Sequence, residues 1–171
     1  MRRAMGITVH TGWGACVVVA GTPANPEILS SEIIDIVDGA QRFCFHQAAE
    51  MEGNAAGSWL ARVRGEALAS ARRALAAAEE MSPQICAIVA KEGEIGDLAQ
   101  VLASHPRVHT AEGLFYRDIL REACSVPTRI VAPRSLDPSK LGKLPVKPWG
   151  RDQKLAALAA WSVLRARPGS R

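Results

Sequence analysis

Apolar and polar positions alternate along residues 6–10, and a strongly β-branched apolar run follows along 15–20, with Thr11, Gly12, Trp13 and Gly14 between them. Two such stretches around a glycine-containing turn predict a β-hairpin. Residues 22–26 (Thr-Pro-Ala-Asn-Pro) read as a loop, the Ile-rich stretch 27–37 as a third strand, and Asp38-Gly39 as a turn. Residues 42–46 are a short extended piece or the start of a helix. From about Gln47 to Glu80 the chain is Ala-rich, and Trp59, Val63, Ala67, Ala71 and Leu75 recur every four residues. That period gives a helix one apolar face. Gly53 and Gly57 weaken its first part, so a break is expected there, and Ser82-Pro83 ends it.

Residues 85–90 form a continuous apolar run of strand length, the pattern of a strand buried on both faces of a parallel sheet. Asp97 is placed to cap a short helix through Ser104. Residues 107–109 read as a brief strand, because Pro106 argues against a helix through both His105 and His109. Thr110 would then cap a helix to about Cys124, with Ala111, Phe115, Ile119 and Ala123 on one side. Residues 128–132 are another buried strand and 133–148 a Pro- and Lys-containing loop. Asp152 would cap a last helix with Leu155, Leu158, Ala159 and Val163 inward. Three strands without intervening helices predict an antiparallel meander. The later strands, separated by helices, predict parallel crossovers. The expected fold class is therefore α/β, a mixed sheet with helices on both faces.

With 171 residues there is room for a single domain, residues 1–171, with a short basic tail from about residue 165. The chain is 48% hydrophobic and 22% charged, which excludes disordered, collagen-like and disulfide-scaffold classes. An aromatic content of 5% disfavours chemistry built on stacked aromatic side chains. Arg2 and Arg3 ahead of apolar residues imitate a signal peptide, but Thr8, His10, Thr11, Gly12 and Gly14 make the stretch too polar for one. The longest apolar run, 15–21, is far short of a membrane span. Cys16, Cys44, Cys86 and Cys124 form no C-x-x-C pair, so a zinc ribbon or thioredoxin-like site is not indicated; free thiols in a cytoplasmic protein are expected.

Charge is uneven. Residues 129–171 hold ten basic residues against Asp137 and Asp152, a net +8, which leaves −4 for the rest. Such a segment suits a polyanion such as nucleic acid, while the plainer reading is a solubilising surface.

Three stretches resemble the ribonuclease H-like superfamily, and within it the RuvC-type Holliday-junction resolvases. Thr11-Gly12-Trp13-Gly14 is similar to the first hairpin turn, and Ser82-Pro83-Gln84-Ile85-Cys86-Ala87-Ile88-Val89 to the approach to the central fourth strand. Gly150-Arg151-Asp152-Gln153-Lys154-Leu155 is similar to the start of the closing helix, and the resemblance spans roughly residues 6–164. It implies a ribonuclease H-like mixed sheet and phosphodiester hydrolysis by two cations, Mg²⁺ or Mn²⁺, about 4 Å apart. It also implies acids on the first strand, at the end of the fourth, and at the start of the last helix. This chain departs from that pattern. Its first strand offers Thr8 and His10, its fourth reads Ala-Ile-Val with Glu92 and Glu94 only beyond it, and Asp152 alone sits near a matching position. The usual carboxylate set is absent, so a degenerate or absent nuclease activity is expected.

If the fold is right, His10, Glu92 and Asp152 converge at the strand ends, where open sheets bind ligands. The plainer reading is a hairpin His, a loop Glu and a helix cap. The stretch 105–113 is the most unusual polar segment: His105 and His109, followed by Glu112, Tyr116 and Asp118, can move protons or bind a metal, or His109-Thr110 simply caps a helix. Cys44 and His46, two apart on an extended piece, would face one side as nucleophile and base, against a buried Cys beside a helix-start His. Trp149 beside Lys147, Arg151 and Lys154 could stack on a base with phosphate contacts around it, or pin the Pro-rich loop to the last helix. Candidate catalytic residues are thus His10, Glu92, His109 and Asp152, and candidate nucleic-acid contacts Lys147, Trp149, Arg151 and Lys154. Three functions remain open: a nucleic-acid-associated protein with degenerate nuclease activity, a small-molecule enzyme using a His/carboxylate pocket, and a non-catalytic interaction module or homodimer.

Overall fold

The computed structural model describes residues 2–22, 24–137, 139 and 149–165. The opening hairpin forms as its alternation predicts: β1 (Arg2–Val9) pairs antiparallel with β2 (Trp13–Gly21), from Arg2 opposite Gly21 to Val9 opposite Gly14. The turn is closed by His10 N donating to Trp13 O at 2.9 Å. β3 (Pro26–Asp35) continues the meander on β2. β4 (Cys86–Val89) then joins the other side of β1 in parallel, and β5 (Thr128–Val131) joins β4 in parallel. The order is β3-β2-β1-β4-β5. The expected mixed sheet is present, with β1 at its centre.

The period-two alternation of β1, β2 and β4 sorts their side chains into two cores. Met5, Ile7, Cys16, Val18, Cys86 and Ile88 face one way, against α2 (Ala55–Glu80) and α4 (His105–Ala123). Ala4, Val17, Val19, Ala87 and Val89 face the other, against α5 (Arg151–Arg165). The buried residues of α2 include Leu60, Val63, Ala67, Ala71 and Leu75, close to the stripe read from the sequence. Between α1 (Cys44–Ala49) and α2 the helical path breaks as expected; Gly53 has φ +58°, a left-handed conformation a side chain would resist. Asp97 caps α3 (Leu98–Leu102), its carboxylate accepting from Gln100 N at 3.1 Å.

Two local expectations are corrected. Residues 107–109 are not a strand: α4 begins at His105 and runs through Pro106. Proline in a first helical turn removes an N–H that has no partner there, so it does not break the helix. Thr110 is consequently inside α4, its hydroxyl donating to Pro106 O at 3.0 Å, and caps nothing. Of the two readings offered for residues 42–46, the start of a helix holds for 44–46, which open α1 after a 3-10 turn at Gly39–Phe43. The predicted loop at 133–148 begins with a 3-10 turn at Pro133–Ser135, and Lys147 and the basic tail beyond Arg165 lie outside the described residues. No helix among the described residues is long and apolar enough to cross a membrane.

All four cysteines are free, and Cys16, Cys44 and Cys86 are buried. Burial pushes the Cys44 thiol up to about 12 and raises that of Cys16. A hydrogen bond with Cys124 and then burial raise Cys86. Since the thiolate is the reacting form, native protein treated with iodoacetamide near pH 8 should be alkylated at Cys124 and spared at the other three until it unfolds. Peptide mapping by mass spectrometry reads this out, and rapid native labelling of Cys44 would contradict it.

Candidate functional site

The C-terminal ends of β1 and β4 meet the first turn of α5. Thr8 and Val89 lie opposite one another across the parallel pair. Thr8 is buried, its Oγ1 accepting from Ala15 N at 3.2 Å, so this hydroxyl is committed to the hairpin. His10 follows at the mouth of the turn. Its ring stacks on Trp13 with centroids 4.1 Å apart and planes 10° from parallel. His10 Nε2 donates to Asp152 Oδ1 at 2.9 Å, a contact between residues 142 positions apart. The carboxylate therefore selects the His10 tautomer, and leaves Nδ1 as the lone-pair nitrogen. Asp152 does not cap α5; it sits in the first turn with its carboxylate on His10. A cavity of about 390 Å³ opens here, lined by Thr8, His10, Val89, Arg151, Asp152 and Leu155 among others.

These donors do not fit a two-cation centre. Hard divalent cations take six or more oxygen ligands, and two held together need several carboxylates. Among the described residues, the cavity lining holds one carboxylate, Asp152.

The other residues singled out by sequence lie elsewhere. Glu92 is not at this cavity; it lines a separate cleft of about 610 Å³ with Arg64, Glu94, Arg117, Asp118 and Glu122. It stands three positions beyond the end of β4, where the chain has left the sheet toward α4. His109 is not there either: it is on α4, beside His46 and His105. Trp149 is half-buried and packs against the α5-side core with its Nε1 buried; most of the loop it was expected to pin lies outside the described residues. Arg151 is exposed and Lys154 half-buried, three apart on α5, which puts both on one side.

Cys44 and His46 do not form a nucleophile–base pair. Two positions apart on a helix they point in different directions. Cys44 Sγ is 4.0 Å from the Tyr116 hydroxyl, which donates to Gln41 O at 2.6 Å, and burial raises the Tyr116 phenol as well. His46 instead turns to Glu112, a buried acid that sequence reading named only in passing.

The sheet order, the one-sided meander and the closing helix on the opposite face define a ribonuclease H-like fold of the RuvC type. Among solved structures, Thermus thermophilus RuvC in complex with a Holliday junction substrate is similar over 96% of this chain and 94% of that one, with a TM-score of 0.50 and 18% identity. A second Thermus thermophilus RuvC structure aligns over 95% of this chain and 93% of that one, with a TM-score of 0.49 and 16% identity. No family model and no curated protein matches the sequence.

Proposed function

We propose that this chain is a cytoplasmic nucleic-acid-associated protein that engages phosphates near the start of α5 and has lost metal-dependent phosphodiester hydrolysis. One observation carries this reading: among the described residues, the strand-end cavity is lined by one carboxylate, with Arg151 beside it. A cationic mouth over a carboxylate-poor site suits holding a phosphate chain more than cleaving it. The net +8 of residues 129–171 supports the same partner. So does the fold shared with a RuvC bound to a Holliday junction. The four free cysteines support the compartment.

Fluorescence anisotropy with a labelled four-way junction and a labelled single strand tests the binding. If about three phosphates are neutralised, raising salt from about 50 to 200 mM should weaken binding about 40-fold. Arg151→Glu should weaken it further at low salt. The same DNA incubated with Mg²⁺ or Mn²⁺ should stay intact. Absent or salt-independent binding defeats the proposal, and cleavage that Asp152→Asn abolishes defeats its hydrolytic half.

The His10–Asp152 pair favours a second reading, a small-molecule enzyme with His10 Nδ1 as general base, oriented by the carboxylate. DNA binding with a steep salt slope separates the two.

A further inference from the structure

On the opposite face of the sheet, three imidazoles meet where α1 packs on α4. His105 and His109 stand one turn apart on α4, with Nε2 atoms 3.0 Å from each other. The His46 ring, from α1, lies 4.5 Å from the His109 ring and 5.3 Å from the His105 ring, centroid to centroid. One nitrogen from each of the three lies within 4.8 Å of the other two. His46 is half-buried, and His105 and His109 are exposed.

The third helical turn explains why His46 is held there. Glu112 continues the same face of α4 and is buried at 2% exposure. Its carboxylate accepts from Phe45 N at 3.2 Å and His46 N at 3.3 Å, fastening the start of α1 to α4. The same oxygen lies 3.0 Å from His46 Nδ1, off the direction of a hydrogen bond. Phe45 and Phe115 pack edge to face beside it, centroids 5.5 Å apart. His46 Nε2 is then the nitrogen left for a ligand.

Three imidazoles that each bring one nitrogen within 4.8 Å of the other two are close enough to share a ligand between their lone pairs. A single N–H shared between His105 and His109 relieves one pair of them and leaves the third. A divalent cation that favours nitrogen relieves all three. Tetrahedral zinc, with Zn–N of about 2.0–2.1 Å, sets its ligand nitrogens about 3.3 Å apart, so modest rotation of two exposed side chains closes the site. Glu112 positions His46 through the backbone, its carboxylate holding the start of α1 by two amides and lying 3.0 Å from Nδ1. We infer that His46, His105 and His109 form a three-imidazole site for a zinc-class divalent cation, with a fourth position open to water or an added ligand. The site is independent of the strand-end cavity, which shares none of these residues.

The tag-free full chain, stripped with chelator, should bind Zn²⁺ saturably at one equivalent by calorimetry. Co²⁺ should give the intense visible absorption of a four-coordinate ion. His105→Ala and His109→Ala should each weaken binding by more than about 100-fold, since loss of an outer partner alone is worth 10–100-fold. His46→Gln should do the same, and Glu112→Gln should weaken it by about 10–100-fold. Far-UV circular dichroism and melting curves establish that each variant is folded, and zinc should raise the Tm of the parent but not of the histidine variants. Binding that never saturates, or that is unchanged in the folded His105 and His109 variants, overturns the inference.

Discussion

Gly6→Ala is expected to destabilise the protein by about 3 kcal/mol or more, because overpacking that cannot relax exceeds the usual 1–3 kcal/mol. Gly6 lies in β1, with Val17 of β2 on one side and Ala87 of β4 on the other. The strand has neighbours on both edges and cannot shift in the plane of the sheet. Perpendicular to it, an added Cβ would lie 1.9 Å from Ala156 O and 3.0 Å from Ala160 N. Both obstacles are backbone of α5, so no rotamer change clears them. Helix α5 would have to lift off, opening the core it makes with Ala4, Val17, Val19, Ala87 and Val89. Urea unfolding should show a lower midpoint with the slope unchanged. Heating should show a Tm lower by about 6–12 °C, at 2–4 °C per kcal/mol for a chain of this size. A loss below about 1 kcal/mol would mean that α5 does not sit against β1 as described. The strand-end cavity depends on the same contact, because α5 carries Arg151 and Asp152.

Glu112→Ala should be the next most damaging change, at about 2–4 kcal/mol from two amides left without their acceptor together with the void left behind. Phe45 N and His46 N are the second and third donors of α1, in the first turn where no carbonyl of the same helix can reach them. Water cannot replace the carboxylate freely, since Glu112 and Phe45 are both buried. Glu112→Gln keeps an acceptor oxygen at the same place and should cost about half as much or less. Equal losses for the two substitutions would show that the negative charge of the carboxylate, rather than its contacts with the two amides, is what the side chain supplies. Denaturant unfolding of both variants in the presence of chelator isolates this effect from any cation.

Legibility in the sequence followed the range of the forces involved. The hairpin, the buried run of β4 and the apolar stripe of α2 were readable because alternation and four-residue recurrence are local consequences of burial. Asp97 was readable as a cap for the same reason. At Pro106 a local rule was applied at the wrong register. Proline disrupts a helix interior but not a first turn, and Ser104 followed by Pro106 is itself a start signal that competes with Thr110. That error hid the one-turn spacing of His105 and His109, which was present in the sequence. Glu92 was placed at the strand ends by its closeness to β4 in sequence, but the chain leaves the sheet toward α4 immediately afterwards.

By itself, then, the amino-acid order determined most of the strands and helices and the sorting of apolar side chains onto two faces. Only the tertiary structure decided that His10 reaches Asp152 and that His46 reaches His105 and His109. Those pairs are separated by 142 positions in the first case and by more than fifty in the second. No periodic pattern records such distances; they come from how α5 seats on β1 and how Glu112 fastens α1 to α4, and packing of that kind is a property of the whole chain.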